Sequence, residues 1–323
     1  MILNYPLKFQ PILKDKIWGG NKLVDKLNKK TTLKNVGESW EISDVEGNVS
    51  VVQNGNLKGK SLRELQETHK SDFIGKNNYA NFGNNFPLLI KFIDAHQDLS
   101  VQVHPNDELS KKRHNSFGKT EMWYIMQSDP GARLILGFNK TIDAKQYVQL
   151  LKDKKIMSVL DLVPVKKGDA FFIETGTVHA IGAGIVLAEI QQTSDITYRI
   201  YDFDRVDDKG NERDLHTELA VDALNFSDKI DTERTYSKDV NTLNEVASCK
   251  YFKTNYIPVQ GKKEIDYSNT DSFVIFMCVE GNATISIFGN KETINFGETI
   301  LIPATADKVL IESENCNLLE VTV

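Results

Sequence analysis

The sequence is poor in cysteine: Cys249, Cys278 and Cys316 stand far apart and form no CxxC pair. That excludes a disulfide framework and a thiolate metal site, and it predicts reduced thiols in a cytoplasmic protein. No apolar run approaches the roughly 20 residues that cross a bilayer, and residues 1–9 lack a charged segment followed by an apolar one. A soluble chain without a leader is expected. There is no surplus of positive charge either. The formal net charge is −6, which argues against nucleic-acid or membrane-surface binding and leaves any bound anion to a local basic cluster. At 323 residues the chain is long enough for a full core and for two domains.

What is present centres on residues 99–107. Leu99, Val101 and Val103 alternate with Ser100, Gln102 and His104, the period of two that sends neighbouring side chains to opposite faces of a strand. Gln102 and His104 then lie roughly 6.6 Å apart along the backbone, near enough to share a small cation. Pro105 ends the pairing. Just before it, residues 87–95 form an apolar run broken only by Lys91, the pattern of a strand buried on both faces. A lysine there needs an anion, and Glu41 of the alternating segment 38–43 is one choice.

Elsewhere short strands are predicted at 7–13, 121–126, 132–138, 170–173, 180–191 and 197–203, with helices at 61–72 (N-cap Ser61), 107–115, 141–152 and 215–226. Lys111, Lys112, Arg113 and His114 read as a solvated helix face. His96 and His216, like His114, read as surface or capping residues. Residues 227–248 are polar and without periodicity, a linker. The block 168–179 aligns without gaps on 297–308, Gly168 on Gly297 and His179 on Lys308, and such an echo predicts two related β units. Because lysine replaces histidine, a metal in the first predicts none in the second.

Within the first unit Gln102, His104, Glu121 and His179 supply two imidazoles, a carboxylate and an amide oxygen, a set suited to Zn²⁺ or another divalent first-row ion. Lys119 shares a strand face with Glu121, and Lys91 can reach the same interior. Arg199 is either an anion-binding group or an ion-pair partner of Asp195 or Asp202. Glu189 is either a proton carrier or the partner of a lysine. Two His and a carboxylate also describe an oxygenase iron site, and a metal-stiffened, non-enzymatic sensor is a further reading.

The segments Pro87–Ala95, Leu99–Asp107, Gly118–Tyr124 and Gly176–Gly182, with Ile17–Asn21 and Gly37–Glu41, resemble type I phosphomannose isomerases in order and spacing over about residues 10–205. The resemblance is to the short bacterial form, without a large helical insertion between the Glu121 and His179 motifs. Glu174-Thr175-Gly176 stands where a proline-containing turn is expected. This resemblance implies a mainly β fold of tandem cupin (jelly-roll) barrels with a few peripheral helices: a catalytic cupin domain over 1–235 and a C-terminal cupin-like domain without a metal site over 236–323. It implies one Zn²⁺ per chain on Gln102, His104, Glu121 and His179, and interconversion of mannose 6-phosphate and fructose 6-phosphate through an enediol. Arg199 becomes the active-site arginine. Lys119 joins it as a catalytic candidate, with Ser100, Lys91 and Glu189 as substrate-binding candidates. The expected partner is a small sugar phosphate, with no nucleic acid or membrane, for a cytoplasmic monomer or homodimer.

Overall fold

The computed structural model describes residues 3–206, 210–228 and 230–323. Strands dominate. A seven-stranded sheet and a five-stranded sheet, both built before residue 235, lie face to face, and a six-stranded sheet forms from residue 244 onward. Pairing is antiparallel throughout these sheets, and none of the three closes on itself by hydrogen bonding.

The middle of the first sheet is Leu88–Ala95 beside Ile185–Gln192 beside Glu121–Ser128. All eight residues of Leu88–Ala95 are buried, because both faces are covered. Ile93, Trp123, Ile125, Ile173 and Leu187 meet Leu134, Leu136 and Ile181 of the opposing sheet and fill the sandwich. On the other face, Ile90, Phe92, Tyr124 and Ala188 pack on the helical segment and on Phe273, Ile275 and Leu319 of the C-terminal sheet. Two β units thus share one continuous apolar core. Lys8 reinforces the contact through Glu298, 2.8 Å away.

The helices begin and end for local reasons. Leu62–His69 starts at a capping box in which Ser61 and Glu64 satisfy each other's backbone N–H. Asp107–His114 has Asn106 as N-cap, acids in its first turn, and Lys111, Lys112, Arg113 and His114 in its last. The charges oppose the helix dipole, and Asn115 closes the turn in the left-handed region. Leu62–His69 and Ala144–Lys152 fall inside the predicted spans.

Several expectations are corrected. The first strand is Ile12–Gly20, while Leu7 and Phe9 make only single bridges to Leu301 and Val52. The run 180–191 is two strands, His179–Ile181 and Ile185–Gln192, because the chain turns at 182–184 and changes sheets. The supposed linker contributes Glu233–Arg234 to the first sheet and Asn244–Ser248 to the last; of that stretch, residue 229 lies outside the described residues.

The internal echo is structural. Ala170–Ile173 pairs with Glu121–Ser128 as Thr299–Ile302 pairs with Val274–Ile287. Gly168 and Gly297 both turn with φ near +80 to +90° (89° and 79°), where a side chain is strained. His179 and Lys308 each open the following strand. By the same registers Val274 takes the place of Glu121, so the C-terminal unit has lysine and valine where the first has histidine and glutamate.

Candidate metal centre and adjoining cavity

Three strands from both sheets of the first unit converge on one point. Gln102 is the middle residue of Val101–Val103 and pairs directly with His179; Glu121 opens its strand in the facing sheet. His104 follows two residues after Gln102, with its backbone carbonyl accepting from the amide of Gly176 at 3.0 Å. His104, Glu121 and His179 bring one ligand atom each to within 4.8 Å of one another, the one such group of three among the described residues.

Protonation logic makes this a cation site. Nδ1 of His104 lies 2.9 Å from the Ile196 carbonyl and Nδ1 of His179 lies 2.9 Å from the Thr177 carbonyl. A carbonyl only accepts, so each Nδ1 carries the proton and each Nε2 presents a lone pair. The two Nε2 atoms are nevertheless 3.1 Å apart. Burial, then the nearby Lys119, drives His104 down to about 3, and burial also lowers His179, so a shared proton is disfavoured. Glu121 is fully buried with neither oxygen in a well-formed hydrogen bond. Its Oε1 is 3.3 Å from His104 Nε2 and its Oε2 3.9 Å from His179 Nε2. Burial opposes its charge, but the Lys119 ammonium beside it outweighs that and holds it far below the usual carboxylate range. An anion and two lone pairs facing one point fit a divalent ion. The Gln102 amide is the fourth group, 3.3 Å from His179 Nε2, and rotating it by half a turn aims its oxygen at the same point.

Beside this cluster lies a cavity of about 380 Å³, with Gln102 and Lys119 in its wall and Ser100 nearby. Six basic side chains, Lys14, Lys16, Lys91, Lys119, Arg199 and Arg213, face three carboxylates, Glu38, Glu189 and Asp195. The surplus of positive charge is local, inside a chain that is acidic overall. Burial, then the neighbouring Lys16, lowers Lys14, and burial, then Arg213, lowers Arg199. A bound anion relieves that crowding.

Lys91 is buried and pairs with Glu189 at 2.8 Å, with Gln191 Oε1 at 2.6 Å. The expected partner Glu41 is instead held by Lys29 at 2.7 Å and by Ser39. Alternation along Val36–Ile42 explains the difference: Glu38 and Trp40 face the cavity, so Ser39 and Glu41 face away. Burial lowers Lys91, but Glu189, Glu38 and Glu121 together raise it, so it stays cationic. Burial raises Glu189 despite Lys91, and Trp123 Nε1 donates to its other oxygen at 2.8 Å.

Arg199 pairs with neither Asp195 nor Asp202. Its Nη1 donates to the Asp214 carbonyl at 2.8 Å and its Nε has no partner among the described residues, while Asp202 is taken by Arg205 and Arg213. His216 does more than cap a helix: its Nδ1 accepts from the backbone amide of Arg199 at 3.0 Å. His114 hydrogen-bonds Tyr198 at 2.8 Å. Lys14, Lys16, Glu38, Trp40 and Arg213 went unrecognised in the sequence. For Glu38 and Trp40 the period of two was the available signal; for Lys14, Lys16 and Arg213 nothing local marks the cavity side. Cys278 and Cys316, distant in sequence, meet at 3.6 Å in the C-terminal sheet as free thiols.

Comparison with known proteins agrees with this arrangement. Residues 7–128 match the family model for phosphomannose isomerase type I, catalytic domain, and residues 241–323 that for mannose-6-phosphate isomerase, cupin domain. Mannose-6-phosphate isomerase ManA of Bacillus subtilis is 35% identical over 301 residues, 92% of this chain and 93% of the relative. The mannose-6-phosphate isomerase of Streptococcus mutans is 34% identical over 301 residues, 93% of each chain. The crystal structure of the mannose 6-phosphate isomerase from Bacillus subtilis superposes with a TM-score of 0.89 at 30% identity, covering 99% of this chain and 100% of that one. A zinc-bound mannose 6-phosphate isomerase shares the fold, with a TM-score of 0.79 at 17% identity over 98% of this chain and 99% of that one. With open antiparallel sheets arranged as two cupin units and this similarity over nearly its whole length, the chain belongs to the type I phosphomannose isomerase family.

Proposed function

We propose that this chain is a zinc-dependent aldose–ketose isomerase that interconverts mannose 6-phosphate and fructose 6-phosphate, with the metal on Gln102, His104, Glu121 and His179. The observation that carries this reading is the juxtaposition of a buried, proton-poor His–Glu–His cluster with a basic cavity of about 380 Å³. The printed names of the relatives support the substrate. When bound there, zinc supplies Lewis-acid stabilisation of negative charge on the sugar's reacting oxygens.

The chain's own groups divide the remaining work. Lys91 and Lys119 are buried, whereas Lys14, Lys16 and Arg213 are half-buried, so the reacting end of the sugar belongs at the floor beside Gln102 and Lys119 and the phosphate nearer the mouth. Ser100, buried on the same wall as Gln102, is assigned a hydroxyl contact to the substrate. Arg199 offers a planar fork with an unpartnered Nε, suited to two adjacent oxygens as charge develops on them. Lys119 Nζ, 3.3 Å from Glu121, places a point charge by the same oxygens. Of the cavity groups, Glu189 is the carboxyl that burial raises above its ordinary value, and we assign it the proton that moves between C1 and C2. Lys91 fixes its orientation.

The catalytic unit is assigned to residues 1–235 and the metal-free cupin to 236–323. Among the described residues no helix is long and apolar enough to cross a membrane, and three free thiols suit a cytoplasmic site. The test follows fructose 6-phosphate formation from mannose 6-phosphate before chelation, after it, and after zinc is returned. Turnover that vanishes and returns, with or without oxygen, supports the proposal. Oxygen dependence points to an oxygenase. Binding without exchange of the C2 hydrogen in deuterated water points to a sensor.

A further inference from the structure

The motif His104-Pro105-Asn106-Asp107 ends in a carboxylate that the metal cluster and cavity do not use. Asp107 opens the helix Asp107–His114, yet its side chain turns back toward the catalytic strand. Oδ1 accepts from the backbone N–H of Gly118 at 2.9 Å and from Gln192 Nε2 at 3.0 Å. The Gln192 carbonyl oxygen in turn accepts from the backbone N–H of Thr120 at 3.0 Å. Lys119 is therefore bracketed, with the residue on each side pinned by one of two side chains that also bond each other. The approach is close: a Cβ on Gly118 would stand 2.8 Å from the Asp107 amide nitrogen and 2.9 Å from its Oδ1, so glycine alone fits.

The other oxygen of Asp107 reaches the C-terminal unit. Tyr251, in the turn between Asn244–Ser248 and Lys253–Asp266, donates its hydroxyl to Oδ2 at 2.6 Å, and Lys250 Nζ lies 3.3 Å away. The turn is anchored by Phe252, fully buried against Phe172 of the first unit with ring centroids 6.2 Å apart. Beside the apolar contacts between the two units, the C-terminal unit thus reaches Asp107 through the Tyr251 hydroxyl and the Lys250 ammonium. Catalytic side chains work only when supporting hydrogen bonds hold them within about 0.5 Å of the productive geometry.

We propose that Asp107, oriented by Tyr251 of the C-terminal unit, is a positioning residue that acts on catalysis through Lys119. This rests on the assignment of Lys119 to the active site made above. The experiment is a double-mutant cycle on the zinc-loaded full chain, with kcat, KM, zinc content and melting temperature measured for Asp107→Ala, Tyr251→Phe, Lys119→Met and both combinations with Lys119→Met. Asp107→Ala is expected to lower kcat about tenfold or more, since misplacement by a fraction of an ångström is enough, with KM unchanged and one zinc per chain retained. Tyr251→Phe deletes only a hydroxyl and is expected to lower kcat about threefold or more, which keeps the test alive should Asp107→Ala fold poorly. In the Lys119→Met background both losses shrink to less than about twofold, because the group they position is gone. Losses that multiply undiminished in that background, or a Tyr251→Phe enzyme with wild-type kcat, overturn the inference while leaving Lys119 catalytic. Full activity of Lys119→Met alone overturns the assignment of Lys119, and this inference with it.

Discussion

Replacing His179 by alanine removes one of the two imidazoles that face each other at 3.1 Å. In the metal-free protein the cost is packing against Trp123, 5.4 Å away ring to ring, and the Nδ1–H bond to the Thr177 carbonyl, about 3 kcal/mol together. The conflict between two lone pairs disappears, which offsets part of it. In the zinc-loaded protein the larger effect is lost ligation. Zinc at a thousand times its dissociation constant stabilises a native state by about 4 kcal/mol. At about 2 °C per kcal/mol for a chain of this size, chelation should lower the wild-type melting temperature by about 8 °C. His179→Ala should melt at the same temperature with and without chelator, bind less than a tenth of an equivalent of zinc, and show no turnover. Scanning calorimetry with parallel metal analysis reads both quantities. One zinc per chain in the variant, or a chelator response equal to wild type, would refute the ligand assignment.

Three further outcomes follow from the same geometry. Glu189→Gln leaves the Lys91 ammonium buried without its 2.8 Å partner and is expected to cost about 3 kcal/mol in urea denaturation, whereas replacing both residues by apolar ones recovers most of the loss. Arg199→Lys keeps a charge but loses the fork; kcat/KM for mannose 6-phosphate should fall about a hundredfold with an unchanged melting temperature. Asp202 is opposed by burial, but Arg213 and Arg205 hold its carboxyl below the usual aspartate range. With the folded pKa depressed, its stabilisation is complete above about pH 4, the unfolded value, and is lost as pH falls through the lower folded one. Asp202→Asn should therefore be less stable than wild type at pH 7, with the gap narrowing as pH falls below about 4 and the carboxyl takes up its proton, in acid titrations followed by circular dichroism; a gap that stays constant across the acid range refutes the ion-pair account.

Legibility in the sequence followed the range of the forces involved. Ser61 with Glu64, and Asn106 with the acids after it, mark helix starts because capping is settled within one turn. The alternation through Gln102 and His104 was readable because a strand's faces are set residue by residue, whatever it pairs with. The repeat with Gly168 and Gly297 was readable for the same reason. Which face meets what was not. Glu41 and Glu38 alternate equally well, and only the packing of Val36–Ile42 between neighbouring strands turns Glu38 to the cavity and Glu41 to Lys29.

The sequence by itself determined the mainly β character, the helix caps, and a set of residues with the chemistry of a divalent metal site. These depend on residue type and short spacing, which pairing partners do not alter. Tertiary structure alone decided that Lys91 meets Glu189, that Arg199 meets the Asp214 carbonyl, that Cys278 meets Cys316, and that Tyr251 reaches Asp107 across 144 positions of sequence. Each of these contacts joins strands or turns remote in the chain. Their meeting is set by sheet register and by how the two β units share a core, and no local pattern encodes either.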